Sequence, residues 1–135
     1  MFINFWAVLS AAVIRMMIGG FWYSPSGFGN QWMALTGIRP DKMTDAQKKG
    51  MWKMYLVEFA GSLAIGLVLA LLLASGANML WDGVFAGILV WIGFTAPFAV
   101  SDYTWGGKPK KLFFLNSAYQ LLVLVVMGAV IAGWK

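Results

Sequence analysis

Two charged side chains interrupt runs that are otherwise apolar, Arg15 in one and Glu58 in another. Arg15 lies seven positions before Trp22, and Glu58 six positions after Trp52. On helices rising 1.5 Å per residue they sit about 10 Å and about 9 Å inside the boundary those tryptophans mark. A charge at such depth in hydrocarbon costs roughly 2.5–3.5 kcal/mol. Two chemistries answer that cost. One is an ion pair that neutralises both charges and fixes helix register. The other is a conducting or binding site for an ion or polar solute. Ala7, Ala11, Arg15 and Gly19 repeat every four residues, as do Glu58, Ser62 and Gly66. Each charge therefore stands on a ridge of small residues suited to close helix packing. Equal depth and matching ridges predict that the two helices pack together and that Arg15 pairs with Glu58. Arg15 is poorly placed to reach water, because its side chain leans toward its helix N-terminus, away from the basic loops.

Further polar groups fall at similar depth. Thr95 precedes Pro97, whose ring frees the carbonyl of Gly93. Asn116 and Gln120 share a helix face at i, i+4. Gln120 and Trp91 both fall near the midplane, which places Gln120 to accept the indole N–H. Each of these alone is explained by an interhelical hydrogen bond of about 0.6–2 kcal/mol. Together Arg15, Glu58, Thr95, Asn116 and Gln120 predict one buried network open toward the basic loops.

Other chemistry is excluded by residue type. The chain has no Cys and no His, which removes thiol nucleophiles, disulfides, Cys/His zinc sites and His acid–base catalysis. Its five carboxylates, Asp41, Asp45, Glu58, Asp82 and Asp102, are scattered. No metal site, cofactor or enzymatic activity is expected. Nine methionines, Met51 and Met54 among them, raise copper(I) as an alternative; gap-filling in apolar packing is the simpler reading.

The elements that position these residues follow from composition. Of 135 residues, 61% are hydrophobic and 11% charged, against roughly 45–50% and about 25% in a soluble domain. A short chain cannot hide that much apolar surface in water, so an integral membrane protein is expected. Four apolar stretches, 2–22, 54–74, 80–100 and 112–134, are each long enough to cross a bilayer. The expected fold class is all-α, a four-helix transmembrane bundle forming a single domain over 1–135. The first stretch has no basic residues before it and carries Arg15, unlike a signal peptide.

Charge sets the orientation. Arg39, Lys42, Lys48, Lys49 and Lys53 follow the first stretch, and Lys108, Lys110 and Lys111 follow the third; only Lys135 lies on the other side. The positive-inside rule places both basic loops in the cytoplasm and both termini outside. A plasma membrane is the expected location. The basic loops imply anionic lipid head groups as counter-charge, not nucleic acid. Trp6, Trp81 and Trp134 fall at one boundary and Trp22, Trp52 and Trp105 at the other, as an aromatic belt requires. In the first loop Pro25, Gly27 and Gly29 mark a turn after Tyr23–Ser24. Phe28, Trp32, Met33 and Leu35 then form an apolar segment expected to lie in the membrane interface. Thr44 with Gln47 reads as a capping box, starting the second helix near Asp45. Gly83 with Gly87, and Gly128 with Ala132, are close-packing pairs for internal contact or self-association.

The run Gly19 to Trp32, G-G-F-W-Y-S-P-S-G-F-G-N-Q-W, resembles the N-terminal signature of the bacterial membrane-protein family called domain of unknown function 1761. Gly19, Trp22, Tyr23, Ser24, Pro25, Phe28, Gly29 and Trp32 carry the likeness. Trp91-Ile92-Gly93-Phe94 is similar to its third-span motif, and Asn116, Tyr119 and Gln120 to its polar fourth-span motif. The resemblance spans nearly the whole chain and implies four membrane spans, with no activity, substrate or catalytic residue attached. Two function classes fit. The preferred one is an oligomeric channel or transporter for a small ion or polar solute, lined by Arg15, Glu58, Asn116 and Gln120. The alternative is a non-transport scaffold or lipid- or partner-binding protein, with the turn at Trp22, Tyr23, Ser24, Pro25, Phe28 and Trp32 as its docking element. A lipid-modifying enzyme is disfavoured by the missing His and Cys.

Overall fold

In hydrocarbon the backbone must satisfy its own N–H and C=O groups, and a single apolar run can do so only as a helix. The computed structural model describes residues 3–24, 26–36, 45–74, 79–107 and 109–134, excepting the side chains of 45–49 and 51. All regular structure among them is helical: α1 (Phe5–Trp22), α2 (Gly29–Thr36), α3 (Asp45–Leu73), α4 (Leu80–Val90), α5 (Ala96–Gly106) and α6 (Lys110–Gly133). A π-helical turn, Trp91–Thr95, joins α4 to α5. Four stretches are long and apolar enough to span a bilayer: Phe5–Trp22, Trp52–Leu73, Leu80–Gly106 and Lys110–Gly133. The chain is thus an all-α, multi-pass membrane protein. The third span runs to Gly106, beyond the boundary at Val100 expected from hydropathy. Thr44 of the expected capping box lies outside the described residues; the helix does begin at Asp45.

The helix ends are made by short-range polar contacts. Asn4 Oδ1 accepts from the backbone N–H groups of Trp6 and Ala7 at 3.1 and 3.2 Å, satisfying two of the donors every helix start leaves free. Its Nδ2 donates to the Trp134 carbonyl at 3.0 Å, tying α1 to the end of α6. Asp82 Oδ2 accepts from Met79 N–H at 3.0 Å in the first turn of α4, where a carboxylate also suits the helix dipole. Gly107 closes α5 in the left-handed region, φ 66°, which a residue without Cβ enters without strain.

Packing is organised around α6, which touches every other helix. Its closest partner is α4. A Cβ on Gly83 would collide with the backbone carbonyl of Gly128 and stand 2.8 Å from the Ala132 Cβ. The Gly83–Gly87 and Gly128–Ala132 pairs therefore serve an internal contact, where small residues let two backbones approach. The ridges of α1 and α3 meet likewise. Ala7, Ala11, Ser62 and Gly66 are buried, and Val8 lies against Gly66 while Arg15 reaches Glu58 and Ser62. That register makes the two helices antiparallel. Toward the chain ends the space between α1, α3 and α6 is filled by Val8, Leu69, Leu73, Met127 and Ile131.

Pro97 shapes the third span. It has no N–H to give, and its ring crowds the carbonyl four residues back. The chain answers with the π turn, in which the Ala96 N–H bonds to the Trp91 carbonyl five residues earlier. Beyond it α5 buries no residue, and Phe98 and Trp105 are 74% and 87% exposed. Trp6, Trp52, Trp81, Trp105 and Trp134 are all exposed. Trp22 departs from the expected belt: its ring packs on Phe28 at 4.6 Å.

Candidate functional site

Arg15 is the structural centre of the basic-loop half of the bundle. It is 6% exposed. Its Nη1 donates to Ser62 Oγ at 2.8 Å and lies 3.4 Å from Glu58 Oε2. Ser62 is set up as acceptor because its own hydroxyl proton goes to the Glu58 carbonyl at 2.8 Å. A helical Ser commonly makes that backward bond. Among the described residues Arg15 Nε is buried and has no acceptor.

The ion pair is lopsided. The Arg15 side chain is 8% exposed and the Glu58 side chain 63%. Helical side chains lean toward their own N-terminus. Since α1 and α3 are antiparallel, Glu58 leans toward the basic-loop end and Arg15 away from it. Helix direction thus decides which partner is sealed in. Equal depth along the helices thus goes with unequal burial.

Tyr119 of α6 closes the other side of Arg15. Its hydroxyl donates to the Arg15 carbonyl at 3.4 Å, and its ring centroid is 5.8 Å from the guanidinium carbon. A cation over an aromatic face contributes about 0.5–1 kcal/mol when exposed and about 2 when desolvated. Only Gly19 leaves room for this ring, since a Cβ there would stand 2.7 Å from the Tyr119 oxygen. Tyr23 stacks edge-on against both Tyr119 and Trp32, at 5.3 and 5.8 Å. Its hydroxyl donates to Asn116 Oδ1 at 2.7 Å. Burial, with Tyr119 next to it, pushes the Tyr23 phenol up to about 12, so it stays a donor at any physiological pH.

The turn between α1 and α2 supplies this aromatic wall. Ser24 Oγ donates to the Phe21 carbonyl at 2.6 Å, and the Gly29 N–H returns to the Ser24 carbonyl at 2.8 Å. Gly29 is buried, and a Cβ would strike the carbonyls of Tyr23 and Ser24. The chain therefore folds back sharply and lays α2 against α6. Pro25 lies outside the described residues.

These side chains surround a recess of about 630 Å³, lined by Arg15, Glu58, Tyr23, Trp32, Tyr55, Asn116, Tyr119 and Gln120 among others. Thr95 is not among them. It lines a smaller recess of about 280 Å³ between α5 and α6, with Asp102, Asn116 and Gln120. The single network expected from the sequence is therefore two recesses on either side of α6, sharing Asn116 and Gln120. The expected Trp91–Gln120 bond is also corrected: the indole N–H of Trp91 donates to the Ser117 carbonyl at 3.0 Å. A backbone acceptor leaves no trace in the pattern of polar side chains. Tyr119 and Ser62 belong to the site although neither was singled out for it. The spacing of Asn116, Tyr119 and Gln120 at i, i+3, i+4 was the available signal. Among the described residues no three His, Cys, Asp or Glu gather into a metal-binding group. The recess offers one cation with unused donors, one accessible carboxylate, two amides and aromatic faces, a set that binds polar or charged groups.

The family described as Protein of unknown function (DUF1761) matches residues 6–132. No curated protein and no solved structure matches the chain.

Proposed function

The chain belongs to the DUF1761 family, a membership that assigns no activity, and we propose that it binds a small ion or polar solute in the Arg15 recess and moves it across the membrane. The observation that carries this reading is a recess of about 630 Å³ around a buried arginine with donors to spare. Pockets for small ligands run from about 300 to 1,000 Å³, and solute pathways are among the features that an intramembrane charge marks. Beyond Arg15 the space is filled by Val8, Leu69 and Met127, so passage requires the bundle to rearrange or copies to assemble around a shared path. We place it as a homo-oligomer, without enzymatic activity, in a bacterial inner membrane. Proteoliposomes loaded with potassium chloride, glycine or glycerol 3-phosphate test the reading directly. Release of at least one that is lost in Arg15→Met supports it, and release of none refutes transport. The same packing of Val8, Leu69 and Met127 favours the second reading, a site that binds without moving its ligand.

The orientation belongs to the same proposal, with both termini outside and both basic loops in the cytoplasm. Lys53, Lys110 and Lys111 are exposed at the loop end, where anionic head groups are their natural counter-charge. A reporter fused after residue 135 is expected to be active in the periplasm and silent in the cytoplasm; the reverse pattern overturns the orientation.

We assign α2 to the membrane interface. Phe28 is 38% exposed and Trp32 is half-buried against Tyr23, an amphipathic placement suited to the headgroup boundary. The chain has no native cysteine, so single-cysteine variants label cleanly. Cysteine at Trp32 is expected to react several-fold more slowly with a membrane-impermeant maleimide than cysteine at Gln31, which is exposed one residue earlier. Equal rates sink the assignment.

A further inference from the structure

The polar recess does not stand alone. A second depression, a groove of about 570 Å³, lies on the bilayer-facing seam between α1 and α3 and is lined by Val13, Met16, Met17, Trp52, Tyr55, Leu56 and Phe59. Met16 and Tyr55 line both depressions. A polar chamber and an apolar trough therefore share a wall. Any groove facing a bilayer fills with hydrocarbon. What distinguishes this one is where it leads: to an arginine whose side chain is 8% exposed and whose Nε has no acceptor, and to a glutamate whose side chain is 63% exposed beside it.

We propose that the ligand of this site is a zwitterionic aminophospholipid of the surrounding membrane. Its phosphodiester sits on Arg15, its ammonium on Glu58, and one acyl chain lies in the groove of Met17, Trp52, Leu56 and Phe59. This rests on the reading of the Arg15 recess as a polar binding site and names what fills it. The charge order fits. Arg15 has donors left after Ser62 and Glu58 are served, and a guanidinium presents them as a planar fork that matches phosphate oxygens. Glu58 contacts Arg15 only at 3.4 Å, which leaves carboxylate lone pairs for an ammonium. Asn116 and Gln120 offer amides to the glycerol and ester oxygens. Tyr55, exposed at the shared wall, carries a polar tip on an apolar body, as a residue between head and tail should. The tail supplies the apolar surface that a free solute lacks, and it explains why the groove and the chamber meet.

The test is binding of a fluorescent short-chain phosphatidylethanolamine to the full-length protein in detergent, with the competitors chosen to separate its parts. The expected result is saturable binding, competed by unlabelled phosphatidylethanolamine and at least tenfold less well by glycerophosphoethanolamine, the same head without chains. Leu56→Trp, which fills the groove and touches no charge, is expected to weaken the lipid at least tenfold and leave glycerophosphoethanolamine unchanged. Glu58→Gln is expected to abolish the preference for phosphatidylethanolamine over phosphatidylglycerol, whose head has no ammonium. If the chain-free head competes as well as the lipid, the recess takes a soluble solute: the lipid assignment fails and the site reading survives. If wild type prefers phosphatidylglycerol, the ammonium assignment to Glu58 fails. If neither lipid nor head group binds, the lipid assignment falls, and the solute reading is decided by the release assay alone.

Discussion

Glu58→Leu is expected to lower the unfolding free energy by about 3–5 kcal/mol, the cost of leaving a buried charge without its counter-ion. Arg15 would keep Ser62 at 2.8 Å but lose its anion while 6% exposed. Arg15→Met is expected to cost less, about 1–2 kcal/mol, because Glu58 is mostly exposed and leans toward the basic-loop end, where water and lysine can answer it. The double variant is expected to return to within about 1 kcal/mol of wild type, since replacing an ion pair by apolar groups of similar volume is often neutral. SDS titration in mixed micelles reads all three. Equal single costs would contradict the lopsided burial, and strictly additive costs would mean that the two residues do not interact. The double variant also separates roles. A version that folds and no longer binds or transports makes the pair functional, whereas one that folds and keeps activity leaves it structural.

Gly83→Ala is expected to destabilise by about 3 kcal/mol, the upper end of what one added methyl group does in a packed interior. The added carbon would land on the Gly128 carbonyl, and backbone on a helix with five neighbours cannot step aside as a flexible side chain would. Gly61→Ala is the control. Nothing lies within 4 Å of a Cβ there, so the better helix propensity of Ala is expected to stabilise α3 by up to about 1 kcal/mol. Opposite signs at two helical glycines, read in the same SDS titration, would establish that α4 is held by backbone contact with α6. Near-equal effects would show that the interface relaxes.

The spans were legible because hydrocarbon allows one backbone solution, and hydropathy marks where it applies. The juxtaposition of Arg15 and Glu58 was legible for a simpler reason: a rise of 1.5 Å per residue converts sequence distance from Trp22 and Trp52 into depth, and small residues mark which faces can meet. Depth says nothing about which partner is sealed in; that needed the antiparallel register of α1 and α3. Tyr119 was visible as part of the polar fourth-span motif but not as a neighbour of Arg15, which its ring and hydroxyl both engage. The acceptor for Trp91 was missed because Ser117 offers a backbone carbonyl. Thr95 was grouped with Arg15 on depth alone, and azimuth around α6 separates them.

The π turn at Trp91–Thr95 has a consequence for how related chains align. A π turn holds one residue more than the α turn it replaces, so every later side chain is rotated by about 100° from where an unbroken helix would aim it. Continuing the face of Gly83 and Gly87 in α-helical steps would point Phe94 and Phe98 at α6, yet they are 66% and 74% exposed. Their successors by one place, Thr95 and Ala99, line the recess against α6, to which Phe98 also contributes and Phe94 does not. The span is phased as though one residue had been inserted. A relative lacking one residue here can keep the same inward face with a regular helix. Straightening the turn at constant length would swing two phenylalanines into the interior, so length and proline must change together.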